Sequence, residues 1–222
     1  QKQAVGKYGS LISGYGKSQI GFLMRKEGRP MKIIDISREL FSCPAYPGDP
    51  KPKRDIVRRM DLGDGYNLSG FYACCHSATH LDAPLHYIED GKPIDQIDLC
   101  RCFGPCSVVE ASGMITGADI DKLTGNAEKR LLFKGGGKVF LSRSAAFAIA
   151  ESDYSLVGTD ALSIGTPEDE TGPHRELLGA GIPILEGLNL SAVSPGNYCL
   201  AAFPLCLGGA EASPVRAVLF SR

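Results

Sequence analysis

His76-Ser77-Ala78-Thr79-His80-Leu81-Asp82-Ala83-Pro84-Leu85-His86 gathers three of the chain's four histidines into one short run. Counted from His76, the next ionisable side chains stand at offsets of 4, 6 and 10, all even. An extended backbone sends alternate side chains to opposite faces, so this spacing puts His76, His80, Asp82 and His86 on one side. A helix would align His76 with His80 and swing Asp82 away. Thr79 and Pro84 also disfavour a helix. Neutral imidazole and carboxylate are ligands that Zn2+ and Mn2+ accept, and three protein ligands with an open position are what a catalytic ion needs to hold water. A pair of histidines four apart is often only a surface or core pair; Asp82 and His86 add the weight. The run reads as an extended segment that presents His76, His80 and Asp82 to a metal.

Working outward, the fourth histidine, His174, stands at the start of a short helix over 173–178, with Pro173 at its first position and Gly179 and Gly181 to stop it. A strand over 182–186 returns from that helix and ends on Glu186. A helix out and a strand back bring His174 and Glu186 to the same end of the unit. Further strands are expected at 32–36, 66–75, 105–111, 138–142, 161–165, 198–203 and 215–220, and helices at 117–123 and 144–151. Strands outnumber helices, the pattern of an α/β fold with one mixed, strand-rich domain over 31–222. Gly135-Gly136-Gly137 lacks the following Lys-Ser/Thr pair of a phosphate loop and reads as a turn.

The 222 residues suit one core. With 24 Lys and Arg against 25 Asp and Glu, the chain has no overall electrostatic footprint for nucleic acid; the partner is a small molecule or another copy of the chain. Eight cysteines without a regular spacing point to reduced thiols in a cytoplasm rather than a disulfide framework, and to small buried apolar residues throughout. Cys100-x-Cys102-x3-Cys106 has no second ligand pair to make a zinc site. No apolar run is long enough for a transmembrane helix. Residues 1–30 differ: six basic residues and six glycines stand against one acid, Glu27, the composition of an extension outside the catalytic fold or, as the alternative, of an arm that packs on a neighbouring subunit. No G-x-S-x-G elbow occurs, which sets serine-hydrolase chemistry aside. A Cys75–His76 pair is disfavoured because strand neighbours face opposite ways.

These motifs resemble those of the cyclase-like metal hydrolase family that includes bacterial kynurenine formamidase and isatin hydrolase. The resemblance spans nearly all of 31–222. It is carried by Asp35-Ile-Ser37, Pro44-Ala-Tyr46-Pro-Gly-Asp49, the central histidine run, Asp160-Ala-Leu-Ser-Ile-Gly-Thr166, His174-Arg-Glu-Leu-Leu178 with Glu186, and Ser213-Pro-Val-Arg-Ala-Val218. It implies a swivelling β/β/α fold and one or two Zn2+ or Mn2+ ions per subunit. A first ion falls to His76, His80 and Asp82; Asp82 bridges to a second held by His174 and Glu186. It further implies His86 as the acid/base histidine, Tyr46 as the aromatic lining the substrate pocket, and a homodimer or homotetramer. The activity implied is hydrolysis of a small aryl amide of the N-formylkynurenine type. The alternatives are opening of a cyclic amide or lactone, or a binding protein that keeps its metal without turnover. Two departures stand out: Ala78 replaces a family glycine that permits unusual backbone angles, and Tyr46 replaces a Trp common in formamidases.

Overall fold

Short β-branched and aliphatic runs fold into thirteen strands and three α-helices in the computed structural model, which describes residues 31–221. The basic extension read at 1–30 lies outside the described residues. In chain order the strands are β1 (Lys32–Asp35), β2 (Lys53–Arg58), β3 (Leu68–Tyr72), β4 (His80–Asp82), β5 (Phe103–Glu110), β6 (Gly113–Ile115), β7 (Arg130–Lys134), β8 (Val139–Leu141), β9 (Leu156–Thr159), β10 (Ile184–Glu186), β11 (Gly196–Ala201), β12 (Ala212–Pro214) and β13 (Val218–Ser221). The helices are α1 (Gly117–Thr124), α2 (Arg143–Ala150) and α3 (Thr171–Gly179). No helix among the described residues is long and apolar enough to cross a membrane.

Nine strands make one mixed sheet in the order β1-β13-β11-β5-β7-β9-β10-β4-β12. Its centre, β5-β7-β9-β10, is parallel, and antiparallel strands flank it on both sides. Parallel strands are covered on both faces, and alternation along them divides the core. Leu132, Leu156 and Leu185 point into one cluster together with Leu81, while Leu131, Phe133, Val157 and Ile184 point into the other. That second cluster is roofed by Ile120 of α1, Ala145, Ala146 and Ile149 of α2, and Leu177 and Leu178 of α3. Each fully buried Leu, Ile or Phe contributes about 1.5–3 kcal/mol. The helices start where their sequence says: Thr116 and Asp119 form a capping box on α1, and Ser142 Oγ accepts from Ala145 N at the head of α2.

Three expectations are corrected. The strand expected at 161–165 is a loop, and the strand lies just before it, as β9; its four residues are buried throughout and show no alternation to read. The cysteines are not buried throughout, since only Cys102, Cys106 and Cys199 are, while Cys100 and Cys206 are exposed. Cys43, Cys74, Cys75, Cys102, Cys106, Cys199 and Cys206 are nonetheless free thiols. The histidine run is not one extended strand either, as described below. The glycine turn has a specific partner: Gly135, Gly136 and Gly137 all donate their N–H groups to the buried Asp160 carboxylate, at 2.8–3.1 Å. Apart from the main sheet, β2 and β3 form a hairpin whose Ile56, Val57, Phe71 and Tyr72 are exposed.

Candidate metal centre

Alternation along β4 decides what meets what. Leu81 packs into the first core cluster, so His80 and Asp82 on either side of it point to the opposite face. β4 pairs with β10 in a register that sets Glu186 against His80, Leu185 against Leu81 and Ile184 against Asp82. Glu186 thus shares a face with both His80 and Asp82. His174 enters from the first turn of α3, buried with Pro173, and reaches the same place. The helix-and-strand return expected from sequence brings His174 and Glu186 together, with His174 Nε2 at 3.3 Å from Glu186 Oε1.

His76 and His86 arrive by a different route from the one expected. Ser77 N donates to Cys74 O in a turn, β4 covers only His80–Asp82, and Pro84–His86 is a 3-10 turn. The rings still converge, with centroids 5.1 Å apart for His76 and His80 and 4.2 Å for His76 and His86. The bend before β4 uses Ala78, the one non-glycine residue among those described with a positive φ, at 56°. Its carbonyl accepts from His80 Nδ1 at 3.1 Å, which leaves Nε2 turned to the carboxylates. Glu170 O plays the same part for His174 Nδ1, at 2.7 Å. An L-residue held in the left-handed region is strained, so Ala78→Gly is expected to raise the unfolding free energy by about 1 kcal/mol. Urea denaturation of metal-free protein measures it; a loss of stability would mean that the buried methyl outweighs the relief.

Asp82 lies at the centre and is fully buried. Its Oδ1 is 2.9 Å from His76 Nδ1 and 3.5 Å from His80 Nε2, and its Oδ2 is 3.8 Å from His174 Nε2. Glu186 also faces two ways, with Oε2 at 3.4 Å from His80 Nε2 and Oε1 toward His174. Ile164 N donates to that same Oε1 at 2.7 Å. Two sets of three donor atoms lie within 4.8 Å of one another: His76, His80 and Asp82, and Asp82, His86 and His174. Asp82 is common to both. His86 joins the second set, and Glu186, which the resemblance assigns there, stands between His80 and His174 with a carboxylate oxygen toward each.

Charge in this chamber is tightly balanced. Burial opposes a charge on His80, but the Asp82 charge and the Glu186 carboxylate outweigh it and hold its pKa up at about 9. His174 is likewise raised to about 9, against burial, by Glu186 and then Asp82. Burial would raise Asp82 and Glu186, yet the imidazoles hold both below the usual carboxylate range. His86 differs: burial, helped by His76 and His174, lowers its pKa. His80 Nε2 and both Asp82 oxygens are buried and make ion-pair contacts with one another and their neighbours without hydrogen-bond geometry, an arrangement of donors that a cation would complete. The donor set fits a divalent ion.

A cleft of about 410 Å³ opens onto the chamber. Tyr46 lines it, its hydroxyl pKa raised by burial and by the neighbouring Glu170 carboxylate. Sequence reasoning missed four groups. Tyr87 lines the cleft and stacks on His174, with centroids 4.6 Å apart; its position directly after His86 was the available signal. Ser163 and Glu170 line the cleft from the loop before α3. Glu211 Oε1 lies 3.4 Å from His76 Nε2, brought there because Ala83 N donates to Glu211 O beside β12; nothing local in the sequence marks it.

Comparison with known proteins places these features among relatives. The Cyclase family model matches residues 34–166. A kynurenine formamidase of Salinibacter ruber (strain DSM 13855 / M31) is 37% identical over 207 residues, covering 85% of this chain and 97% of that protein. One of Sphingopyxis alaskensis (strain DSM 13593 / LMG 18877 / RB2256) is 34% identical over 210 residues, with the same coverage. A solved structure described as a potential metal-dependent hydrolase with cyclase activity superposes with a TM-score of 0.76 at 31% identity, covering 87% of this chain and 99% of that one. Isatin hydrolase A from Labrenzia aggregata shares the fold, with a TM-score of 0.75 at 20% identity over 86% of this chain and 93% of that one.

Proposed function

Because the chain belongs to the Cyclase family, we propose that it is a metal-dependent hydrolase of a non-peptide C–N bond whose substrate is an aryl formamide, with N-formylkynurenine converted to kynurenine and formate. The observation that carries this reading is Asp82, fully buried, shared by two sets of donor atoms and facing His76 and His80 through one oxygen and His174 through the other. His76, His80 and Asp82 would hold one ion, and Asp82, His174 and Glu186 a second. Zn2+ and Mn2+ both suit imidazole and carboxylate. What a divalent ion supplies when bound there is Lewis acidity, which makes water a better nucleophile and polarises the acyl carbonyl.

The chain's own residues do the rest. His86, kept neutral at pH 7 by its lowered pKa, can take a proton on its ring from the attacking water and return it to the departing aryl amine. Tyr46 and Tyr87 offer faces for an aryl ring at the cleft wall. The buried floor formed by His80, Asp82 and Glu186 keeps bulk water from screening the charges that develop.

The test is turnover of N-formylkynurenine by purified protein, followed by absorbance, before and after metal stripping and with Zn2+ or Mn2+ restored. Activity is expected to vanish on stripping and to return with one of the two. Stoichiometric metal without turnover would replace the formamidase reading with a cyclic amide or lactone hydrolase, or with a metal-binding protein that does not catalyse.

A further inference from the structure

Arg38 lies outside every motif and forms none of the chamber wall, yet it reaches three of the segments that build it. Its guanidinium is half-buried and donates to backbone oxygens: Nε to Gly187 O at 3.1 Å and Leu188 O at 3.2 Å, and Nη2 to Asp160 O at 2.7 Å. Its backbone N–H donates to Thr79 Oγ1 at 2.8 Å, and the Thr79 hydroxyl in turn donates to Gly187 O at 2.7 Å. Thr79 immediately precedes His80, and Gly187 immediately follows Glu186. Asp160 opens the loop that delivers Ile164 N to Glu186 Oε1. The contact between these segments is close: a Cβ on Gly187 would stand 2.2 Å from Ala78 O, the carbonyl that orients His80. The His80 and Glu186 segments are thus joined by direct backbone contact and by the Arg38 and Thr79 hydrogen bonds.

We propose that Arg38 is a positioning residue that clamps the His80 and Glu186 segments together and so sets how tightly the chamber holds a divalent ion. The inference rests on the metal reading above. A planar guanidinium can serve three carbonyls from two of its edges at once, whereas an ammonium on a flexible stem cannot reproduce that fork. The role goes beyond general support of the fold, because Gly187 and Thr79, which it engages, directly flank Glu186 and His80, while Leu188 O and Asp160 O tie the clamp to the core.

The test is Zn2+ and Mn2+ titration of metal-stripped wild-type and Arg38→Lys protein by calorimetry, beside the thermal midpoint of each metal-free protein and the visible spectrum of each with Co2+ bound. Arg38→Lys is expected to bind about ten- to a hundredfold more weakly, the range for lost outer-shell partners, with a shifted Co2+ spectrum. A lower midpoint with wild-type affinity and spectrum would overturn the proposal and leave Arg38 a fold-support residue. Should Arg38→Lys not fold, Thr79→Val removes the hydroxyl link alone and is expected to weaken binding in the same sense; unchanged affinity there overturns it equally. A wild type that binds neither ion sinks the metal reading itself, while wild-type binding with indifferent variants sinks only the clamp.

Discussion

An Asp82→Asn variant is expected to lose its metal and, with it, its turnover. The substitution keeps the shape of the side chain and removes only the charge. That charge faces His76 and His80 through Oδ1 and His174 through Oδ2, from a position with no access to solvent. A neutral amide cannot serve two ions, so affinity should fall by more than the about 10–100-fold that follows loss of an outer-shell partner. The metal-free protein should suffer as well, because Asp82 is the leading support for the raised pKa of His80; breaking a buried pair of this kind costs about 3–5 kcal/mol. Metal content after dialysis, measured by atomic emission, decides the matter. Full occupancy in the variant would rule out the bridging role.

A His86→Ala variant should do the reverse, keeping metal near the wild-type level while turnover drops by about 10²–10⁴-fold, the usual share of a general acid/base. The geometry makes this a sharp question, since His86 belongs to a donor set with Asp82 and His174 and its ring lies 5.6 Å from that of His174. If His86 were a ligand, the variant would lose metal along with activity. Its lowered pKa keeps the ring neutral, the form that both a proton acceptor and a ligand need, so the pKa does not choose between the roles and metal content does. Metal content and kcat measured on one preparation separate the two.

The chemistry of the site was legible in the sequence to the extent that it was written locally. Three histidines and an aspartate within one run announced themselves, and a helix followed by a strand was enough to bring His174 to Glu186. The backbone that carries the run was misread. Even offsets suggested one extended strand, but the chain reaches the same convergence through a turn at Ala78, the three-residue strand β4 and a 3-10 turn at Pro84–His86. Strands buried on both faces, such as Arg130–Lys134 and Leu156–Thr159, carry no alternation and went unseen, and the charged, exposed Lys53–Arg58 carries no apolar face at all. Glu211 and Arg38 could not be found from sequence, because His76, which Glu211 faces, and the carbonyls that the Arg38 guanidinium grips lie more than a hundred positions away.

The glycine turn that donates to Asp160 sits well away in sequence from every proposed ligand, yet it anchors the residue whose carbonyl Arg38 grips. A side chain at Gly135 would run into Val139 and the Ala111 carbonyl, and Gly136 and Gly137 hold positive φ angles of 65° and 78°. In a saturation library screened for activity, positions 135–137 should therefore behave as if they belonged to the active site. An engineer choosing where to diversify this chain would do well to leave that turn fixed and to spend the variation on the walls of the cleft.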